Sequence, residues 1–392
     1  MIKWIFFLLL LPAVVACHSG EGETAETSYL EPLIPEPIYK FSRNGSSSVD
    51  ILECGFLKEP LDYIYGSYLR QARLSNDDMM ELLNSYYAQS QSGYVPEEHV
   101  AQSPLAATMR TDVLSDLRAI FQKTAEISGF GASRPSEVRN REGHLGRTGY
   151  IGNNISDPNL FFVDERGCVV AEVFRNYIMG AVYLDKILNL HLNDSIYRDA
   201  EVQRRHLNVV LPAGRNYTEM EHHWDLAYGY YHTFWKSMAQ ADGLPILKDS
   251  HRTIYNAFVY GRTAMQTYQY DEVQKQLRTI KRELSRVVAI RLMNLLLGVN
   301  TVANMQEAPE YAFGFISQAM GLVYALPFAA NEEGRPLFTR SEALQIISDL
   351  TAGNGLWEQE RLLGDAEKVG SLLNVSVRVG RPFAITPDDI KR

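Results

Sequence analysis

Two stretches of the chain share a six-residue pattern that places a glycine where helices rarely carry one. From Asp225 the pattern reads Asp-Leu-Ala-Tyr-Gly-Tyr, and from Glu310 it reads Glu-Tyr-Ala-Phe-Gly-Phe. A glycine inside a helix costs about 1 kcal/mol relative to alanine, so Gly229 and Gly314 need a compensating gain. Close approach of a neighbouring helix supplies that gain. With Gly180 in a looser copy, the pattern predicts a helix seam, meaning an interface where these glycines let helix backbones come close.

The remainder of the chain predicts helices along most of its length. Apolar residues recur with helical period in residues 168–191, 249–267, 271–297 and 301–326. Two capping boxes mark helix starts, one from Thr218 to Glu221 and one from Thr339 to Glu342. Residues 53–60 are expected to form a loop. The sequence shows no Rossmann glycine pattern, P-loop or nucleophile elbow. We therefore expect an all-α protein, an antiparallel long-helix bundle built as two packed bundles with a pseudo-repeat.

The first residues resemble the signal peptide of a bacterial lipoprotein. A basic start is followed by an apolar run from Trp4 to Leu11, which is too short for a permanent membrane span. The run ends at Cys17, which we expect to be lipidated and to become the mature N-terminus; ordinary secretion is the alternative. Acyl chains on Cys17 would hold the protein on a membrane without a transmembrane helix. The expected location is the bacterial outer membrane, facing the periplasm or the cell surface.

Composition divides the chain into four predicted segments. A signal peptide covers residues 1–16, and a flexible acidic tether covers residues 17–40 because its Gly, Ser, Pro and Glu cannot build a core. A helical domain follows over residues 41–375, with halves at 41–210 and 211–375, and a tail covers residues 376–392. Cys54 and Cys168 are the remaining cysteines, and the sequence leaves open whether they pair. The net charge of −9 argues against nucleic acid as a partner.

Potential metal ligands are concentrated where the Thr218 helix begins. His222 and Asp225 stand three residues apart and project from one side of that helix. In the second copy of the pattern, Glu307 and Glu310 have the same spacing, and Glu172 precedes the looser copy. If the helices face one another across the helix seam, these side chains gather around one centre, as in carboxylate metal sites of helix bundles. Histidine with several carboxylates favours iron or zinc.

The helical wheel supports a second interpretation of the same residues. On an ideal helix His222 and Asp225 lie nearly opposite Trp224 and Ala227, so the ligand face can be the solvent face. The acids would then cap helices or hydrogen-bond to loops, and the glycines would serve packing alone. His223 lies nearer the aromatic side and is expected to be a buried, hydrogen-bonded histidine.

Three stretches of the chain resemble the lipoprotein family called domain of unknown function 4856. They read Tyr-Gly-Ser-Tyr-Leu-Arg at 65–70, Tyr-Ile-Met-Gly-Ala-Val at 177–182, and Met-Glu-His-His-Trp-Asp at 220–225 with Ala-Tyr-Gly-Tyr at 227–230. That family in turn looks related to imelysin-like periplasmic proteins, which are two-bundle helical proteins with a Gly-x-His-x-x-Glu motif linked to iron uptake. The motif falls on Met220, His222 and Asp225, so methionine replaces its glycine and aspartate its glutamate.

The resemblance implies a function in metal or iron acquisition. It suggests a lipoprotein that binds a metal ion or an iron-bearing ligand beside an outer-membrane uptake receptor or an imelysin-like partner. The alternatives are an imelysin-type metal-dependent peptidase and a structural or interaction lipoprotein without metal. Catalysis is the less favoured expectation, because no His-Glu-x-x-His zinc motif is present.

Overall fold

Helices supply nearly all the regular structure in the computed structural model, which describes residues 38–70, 76–128, 142–151, 161–240, 244–307, 309–330 and 335–376. The predicted all-α class is confirmed. The predicted signal peptide, Cys17 and most of the tether lie outside the described residues, as does the predicted tail after residue 376. The described residues from Ile38 onward form one compact unit, and the predicted halves at 41–210 and 211–375 stay a prediction.

The first half of the described chain contains mostly short helices and two antiparallel strand pairs. The strands are β1 (Ser42–Arg43) with β2 (Ser46–Ser47), and β3 (Gly149–Ile151) with β4 (Phe161–Val163), each pair antiparallel. The helices are α1 (Glu53–Phe56), α2 (Lys58–Tyr63), α3 (Asn76–Ala88), α4 (Arg110–Ser128), α5 (Val170–Ile178), α6 (Asp194–Arg198) and α7 (Ala200–Leu207). The predicted loop at residues 53–60 is therefore wrong, since α1 and α2 occupy it.

Longer helices dominate the second half. They are α8 (Glu219–Tyr230), α9 (Lys236–Ala239), α10 (Ser250–Gln266), α11 (Tyr270–Leu297), α12 (Val299–Glu307), α13 (Pro309–Val323), α14 (Arg340–Leu350) and α15 (Gln359–Ser376). A three-residue turn joins α10 to α11, so the two pack as antiparallel neighbours. Helix α11 runs through the core and also contacts α13 and α15.

Several helices contain π-helical segments, in which each turn holds an extra residue. These segments are Ile64–Leu69 after α2, Met179–Leu184 and Lys186–His191 after α5, and Tyr231–Trp235 after α8. Each one continues the preceding helix without a break in the chain's helical path. Because π-turns rotate the following side chains away from their α-helical positions, they alter which residues face the core.

Two of the helix-seam glycines, Gly180 and Gly229, lie in tight contacts. A Cβ on Gly180 would lie 2.4 Å from the Cα of Ala325, just beyond the end of α13, and one on Gly229 would lie 2.6 Å from the Sγ of Cys54 in α1. Gly314 is buried within α13. Gly180 therefore meets the backbone at the end of a long helix, whereas Gly229 meets α1.

Two stretches of the described chain are long and apolar enough to cross a membrane by length and composition. They are Tyr270–Met305 and Tyr311–Phe328, and 59% and 78% respectively of an apolar 18-residue window in each are buried inside the protein. Burial of this kind is also what core helices of a folded domain show, and α11 and α13 pack against each other here.

Candidate functional site

Helix α8 begins as its sequence predicts. The side chain of Thr218 accepts a hydrogen bond from the backbone N–H of Glu221, and the Glu221 carboxylate accepts one from the Thr218 N–H at 2.8 Å. Both groups of the capping box are buried. The capping box therefore fixes the direction in which the first turn of α8 presents its side chains.

Asp225 lies in the core and forms an ion pair with Arg262. Its Oδ1 accepts hydrogen bonds from the Tyr39 hydroxyl at 2.5 Å and from the Arg262 Nε at 3.0 Å, and the residue is 0% exposed. Burial raises the pKa of Asp225 to about 6, although the Arg262 guanidinium opposes that shift. A cation bound to this carboxylate would lie beside Arg262, so Asp225 as placed does not suit a metal.

The other predicted ligands have separate surroundings. The ring of His222 stacks on Tyr217 with centroids 4.2 Å apart, and burial lowers the pKa of His222. Glu172 on α5 is buried and accepts a hydrogen bond from the Tyr65 hydroxyl. Glu307 and Glu310 occupy α12 and α13, but their side chains lie outside the described residues. Within the part of the chain that the structure describes, no three His, Cys, Asp or Glu side chains are grouped to hold a metal.

Asp225 belongs instead to a buried ion cluster that the sequence did not reveal. We use that name for Arg43, Glu221, Asp225 and Arg262, with the hydroxyl of Tyr39. Arg262, 0% exposed, bridges the two carboxylates, with its Nη1 2.8 Å from Glu221 Oε1, and Arg43 contacts the same oxygen at 2.9 Å. Two cations and two anions leave the cluster without net charge, which is how buried charges are tolerated.

The two carboxylates of the buried ion cluster respond differently to their surroundings. Burial alone would raise the pKa of Glu221, but Arg262, Arg43 and the Thr218 N–H outweigh it and hold that pKa below its usual value. Asp225 contacts one guanidinium and one hydroxyl, so burial prevails there. We therefore regard Glu221 as firmly ionised and Asp225 as the member that protonates first on acidification.

A histidine pair lies on the other side of α8. The Nδ1 atoms of His191 and His223 are 3.1 Å apart, so one ring donates and the other accepts. Burial lowers the pKa of both rings, and the neighbouring imidazole lowers that of His191 further. The Nε2 of His191 is buried and has no hydrogen-bond partner among the described residues. The pair is thus two neutral imidazoles, and the Nε2 of His191 is a buried polar atom left unsatisfied by the residues around it.

Polar side chains extend the surroundings of the histidine pair. The His191 ring stacks on the Tyr230 ring with centroids 5.8 Å apart, and the Lys186 Nζ lies 5.3 Å from the centroid of the Tyr230 ring. Lys186 is buried, donates to the Gln102 side chain at 2.6 Å, and has a pKa that burial lowers. The Tyr230 hydroxyl donates to Glu53 at 3.1 Å. A lysine, two histidines, a tyrosine and a glutamate therefore meet between α8, α1 and the π-helical segment at 186–191.

Comparison with known proteins identifies the family. The sequence model described as "Domain of unknown function (DUF4856)" matches residues 36–386, most of the chain. The chain belongs to the DUF4856 family. Among curated proteins and among solved structures, nothing matches the chain. The relation to imelysin-like proteins stays a prediction.

In this DUF4856 protein, the three stretches that carry the family resemblance coincide with the π-helical segments or lead into them. Residues 65–70 overlap Ile64–Leu69, residues 177–182 overlap Met179–Leu184, and residues 220–230 lead into Tyr231–Trp235. The Tyr183 and Phe234 rings stack between two of these segments with centroids 3.4 Å apart. π-helical turns occur frequently at functional sites, and the segment Lys186–His191 contains one member of the histidine pair. We therefore take the region around the histidine pair as the candidate site.

Proposed function

We propose that this DUF4856 protein is a membrane-tethered helical lipoprotein that binds a metal ion or an iron-bearing ligand through His191 and His223, as an accessory of an uptake system. The observation that carries the proposal is the distance of 3.1 Å between the two Nδ1 atoms. A metal ion binds each imidazole nitrogen at about 2.0–2.1 Å. At that bond length, two nitrogens 3.1 Å apart make an N–metal–N angle of about 100°. This angle lies between the octahedral and tetrahedral values.

The charge state of the histidine pair supports the same proposal. Metal ions bind neutral imidazole, and burial favours the neutral form of both rings. Imidazole nitrogens suit iron and zinc, the metals expected from the sequence. In the buried ion cluster, by contrast, Arg262 competes with any cation at Asp225.

Two protein nitrogens leave coordination positions for donors from elsewhere. A bare ion would fill them with water, whereas an iron-bearing ligand would bring its own donor atoms. Lys186 and Tyr230 lie beside the histidine pair and would contact the periphery of such a ligand, as a cationic group and an aromatic ring. An accessory protein that accepts and releases its cargo is consistent with a two-residue attachment, because fewer protein ligands hold the ion less tightly.

The test is a metal titration of the full chain with matched histidine variants. Chelator-treated protein is titrated with Co²⁺ and Zn²⁺, and with Fe²⁺ under anaerobic conditions, while visible absorption of Co²⁺ and thermal stability are followed. Metal at a hundredfold excess over its Kd should stabilise the fold by about 2.7 kcal/mol. His191→Gln and His223→Gln should abolish both signals, whereas His222→Gln, on the same helix, should retain them.

The variants also separate the competing sites. Loss of the signals in His222→Gln alone would move the metal to the set predicted from the sequence and remove the histidine pair as the site. Wild-type protein without any metal response would leave only a structural or interaction role. Circular dichroism of each variant establishes that it is folded before binding is compared.

A further inference from the structure

The His191 ring lacks the partner that usually orients a metal-binding histidine. In metal sites, the ring nitrogen that does not bind the ion almost always donates to a carboxylate, a carbonyl or a water, and this bond fixes the ring. In His191 that nitrogen is Nε2, because Nδ1 faces His223. The Nε2 is buried without a partner among the described residues, while the His191 carbonyl is held by the Tyr197 hydroxyl at 2.8 Å. The backbone is therefore fixed, and the ring takes its orientation from packing.

Tyr230 supplies that packing. Its ring plane lies within 11° of the His191 plane, and the Tyr230 side chain is fully enclosed, with 1% of the residue exposed. The Tyr230 ring stacks in turn on Phe234, with centroids 6.2 Å apart and planes 20° apart, and Phe234 stacks on Tyr183. Aromatic rings in this arrangement hold one another in place. The position of the Tyr230 ring therefore determines how the His191 ring can lie.

Glu53, the first residue of α1, holds the far end of Tyr230. The Tyr230 hydroxyl donates to the Glu53 carboxylate at 3.1 Å. Burial raises the pKa of Tyr230 far above its usual value, so the hydroxyl stays protonated and remains a donor. A hydrogen bond to a carboxylate is stronger than one between neutral groups. With its Cα in α8 and its hydroxyl on Glu53, the Tyr230 side chain cannot swing away from His191 without breaking this bond.

The glycine of the repeated pattern lets Glu53 reach Tyr230. A Cβ on Gly229 would lie 2.6 Å from the Sγ of Cys54, closer than such atoms approach. The Cys54 thiol also donates to the Leu226 carbonyl at 3.6 Å. Helix α1 therefore lies directly against α8 at Gly229, where the residue before Cys54 meets the residue after Gly229. The Gly-Tyr step of the pattern thus provides both the close approach and the ring that carries it to His191.

From these contacts we infer that Glu53 and Tyr230 are positioning residues of the metal site. Glu53 holds Tyr230, and Tyr230 holds the His191 ring with its Nδ1 towards His223. The inference rests on the proposed function and adds a role in metal binding to the pattern around Gly229. Neither positioning residue needs to contact the ion. Their effect is on affinity, because a ring that is free to turn must be ordered when the ion binds.

The experiment is a double-mutant cycle on the affinity for Co²⁺. Glu53→Ala, Tyr230→Phe and the double variant are made in the full chain, and Co²⁺ is titrated while its visible absorption is followed. Loss of a residue that orients a metal ligand weakens metal binding by about 10- to 100-fold. Each single variant should weaken Co²⁺ binding by about tenfold, the lower end of that range. The double variant should be no weaker than either single one, because both changes break the same hydrogen bond.

Two further variants and one spectrum separate positioning from charge and from general packing. Glu53→Gln keeps an oxygen that accepts from the Tyr230 hydroxyl and removes the charge, so it should restore wild-type affinity. Tyr231→Phe removes a buried hydroxyl from the next residue, which shares a hydrogen bond with His251 at 2.8 Å, and should leave affinity and the Co²⁺ bands unchanged. In metal-free protein, side-chain ¹⁵N NMR of the histidines should show the Nδ1–Nδ1 hydrogen bond in the wild type and its loss in Glu53→Ala.

The possible results distinguish this inference from the proposed function. Wild-type protein that binds no Co²⁺ would overturn both. Wild-type binding that persists in Glu53→Ala with unchanged affinity and bands would overturn the positioning role alone, and so would additive losses in the double variant. Equal losses in Glu53→Gln and Glu53→Ala would also overturn it, since Glu53 would then act through its charge or as a ligand. Circular dichroism establishes that each variant is folded before its affinity is compared.

Discussion

Replacing Arg262 with methionine should destabilise the fold more than any exposed arginine does. The methionine keeps most of the apolar volume but removes the guanidinium that contacts Glu221 at 2.8 Å and Asp225 at 3.0 Å. Glu221 retains Arg43, so Asp225 is the carboxylate left buried without a cation. Removing one partner of a buried ion pair costs about 3–5 kcal/mol, and we expect Arg262→Met to fall in this range.

A second substitution tests whether the cost arises from the unpaired carboxylate. Asp225→Asn removes the charge that Arg262 neutralises and keeps the shape of the side chain. The double variant Arg262→Met with Asp225→Asn should therefore be about 1–2 kcal/mol more stable than Arg262→Met alone. Protonation of Asp225 has the same effect. Because burial raises its pKa to about 6, the cost of Arg262→Met should be smaller at pH 5 than at pH 8.

Urea unfolding, followed by tryptophan fluorescence with buried Trp224 and Trp235 among the reporters, measures these differences. The control is Arg204→Met, whose exposed pair with Glu201 is worth about 0–1 kcal/mol. Equal losses for Arg262→Met and the control would refute the argument. So would strict additivity of the Arg262 and Asp225 substitutions, since it would mean that the two side chains do not depend on each other.

Three further predictions concern packing, acid stability and thiol reactivity. Gly180→Ala should cost about 1–3 kcal/mol because its Cβ would meet a neighbouring backbone, while Gly364→Ala, with open space around it, should be neutral or stabilising in the same urea assay. Burial lowers the pKa of His99 to about 4, so the stability that neutral His99 contributes is complete above pH 6.5 and is lost as the pH falls towards 4. His99→Gln should therefore reduce the fall in unfolding free energy over this interval by about 1–2 kcal/mol, allowing for the partial exposure of His99. An unchanged pH profile of stability would contradict this. Burial raises the pKa of Cys54 and Cys168, so a thiol reagent should modify them only as the chain unfolds, and rapid labelling of native protein would show that they are accessible.

Local signals in the sequence determined much of the fold. Thr218 with Glu221 and Thr339 with Glu342 predicted the starts of α8 and α14, and both capping boxes are present. The last residue of α11 is Leu297, directly before Gly298 as predicted. These features depend on neighbours within four residues, which is the range over which a single sequence can be interpreted. The predicted loop at residues 53–60 failed because short helices carry too few turns for periodicity to show.

The candidate site depends on pairs that no local signal marks. Arg262 stands 37 residues from Asp225, and His191 stands 32 from His223. The π-helical segment at 186–191 also rotates His191 away from the position that a 3.6-residue period assigns. The helical wheel misjudged Asp225 because it cannot show which faces of a helix are covered. Other elements cover both faces of α8, so the side predicted to meet solvent is buried.

The buried ion cluster also bears on the order in which the chain can fold. Arg43 lies 178 residues before Glu221, and Ser48 lies 214 residues before its partner Arg262. Residues 38–50 are made early, yet Glu221 and Arg262 emerge only after a further 178 and 214 residues respectively. Contacts so distant in sequence form late, because a long loop must close first. In the lipoprotein that we propose, residues 38–50, which join the tether to the domain, are therefore among the last to fold. Arg262 must have been exported before these residues can pack firmly against the domain.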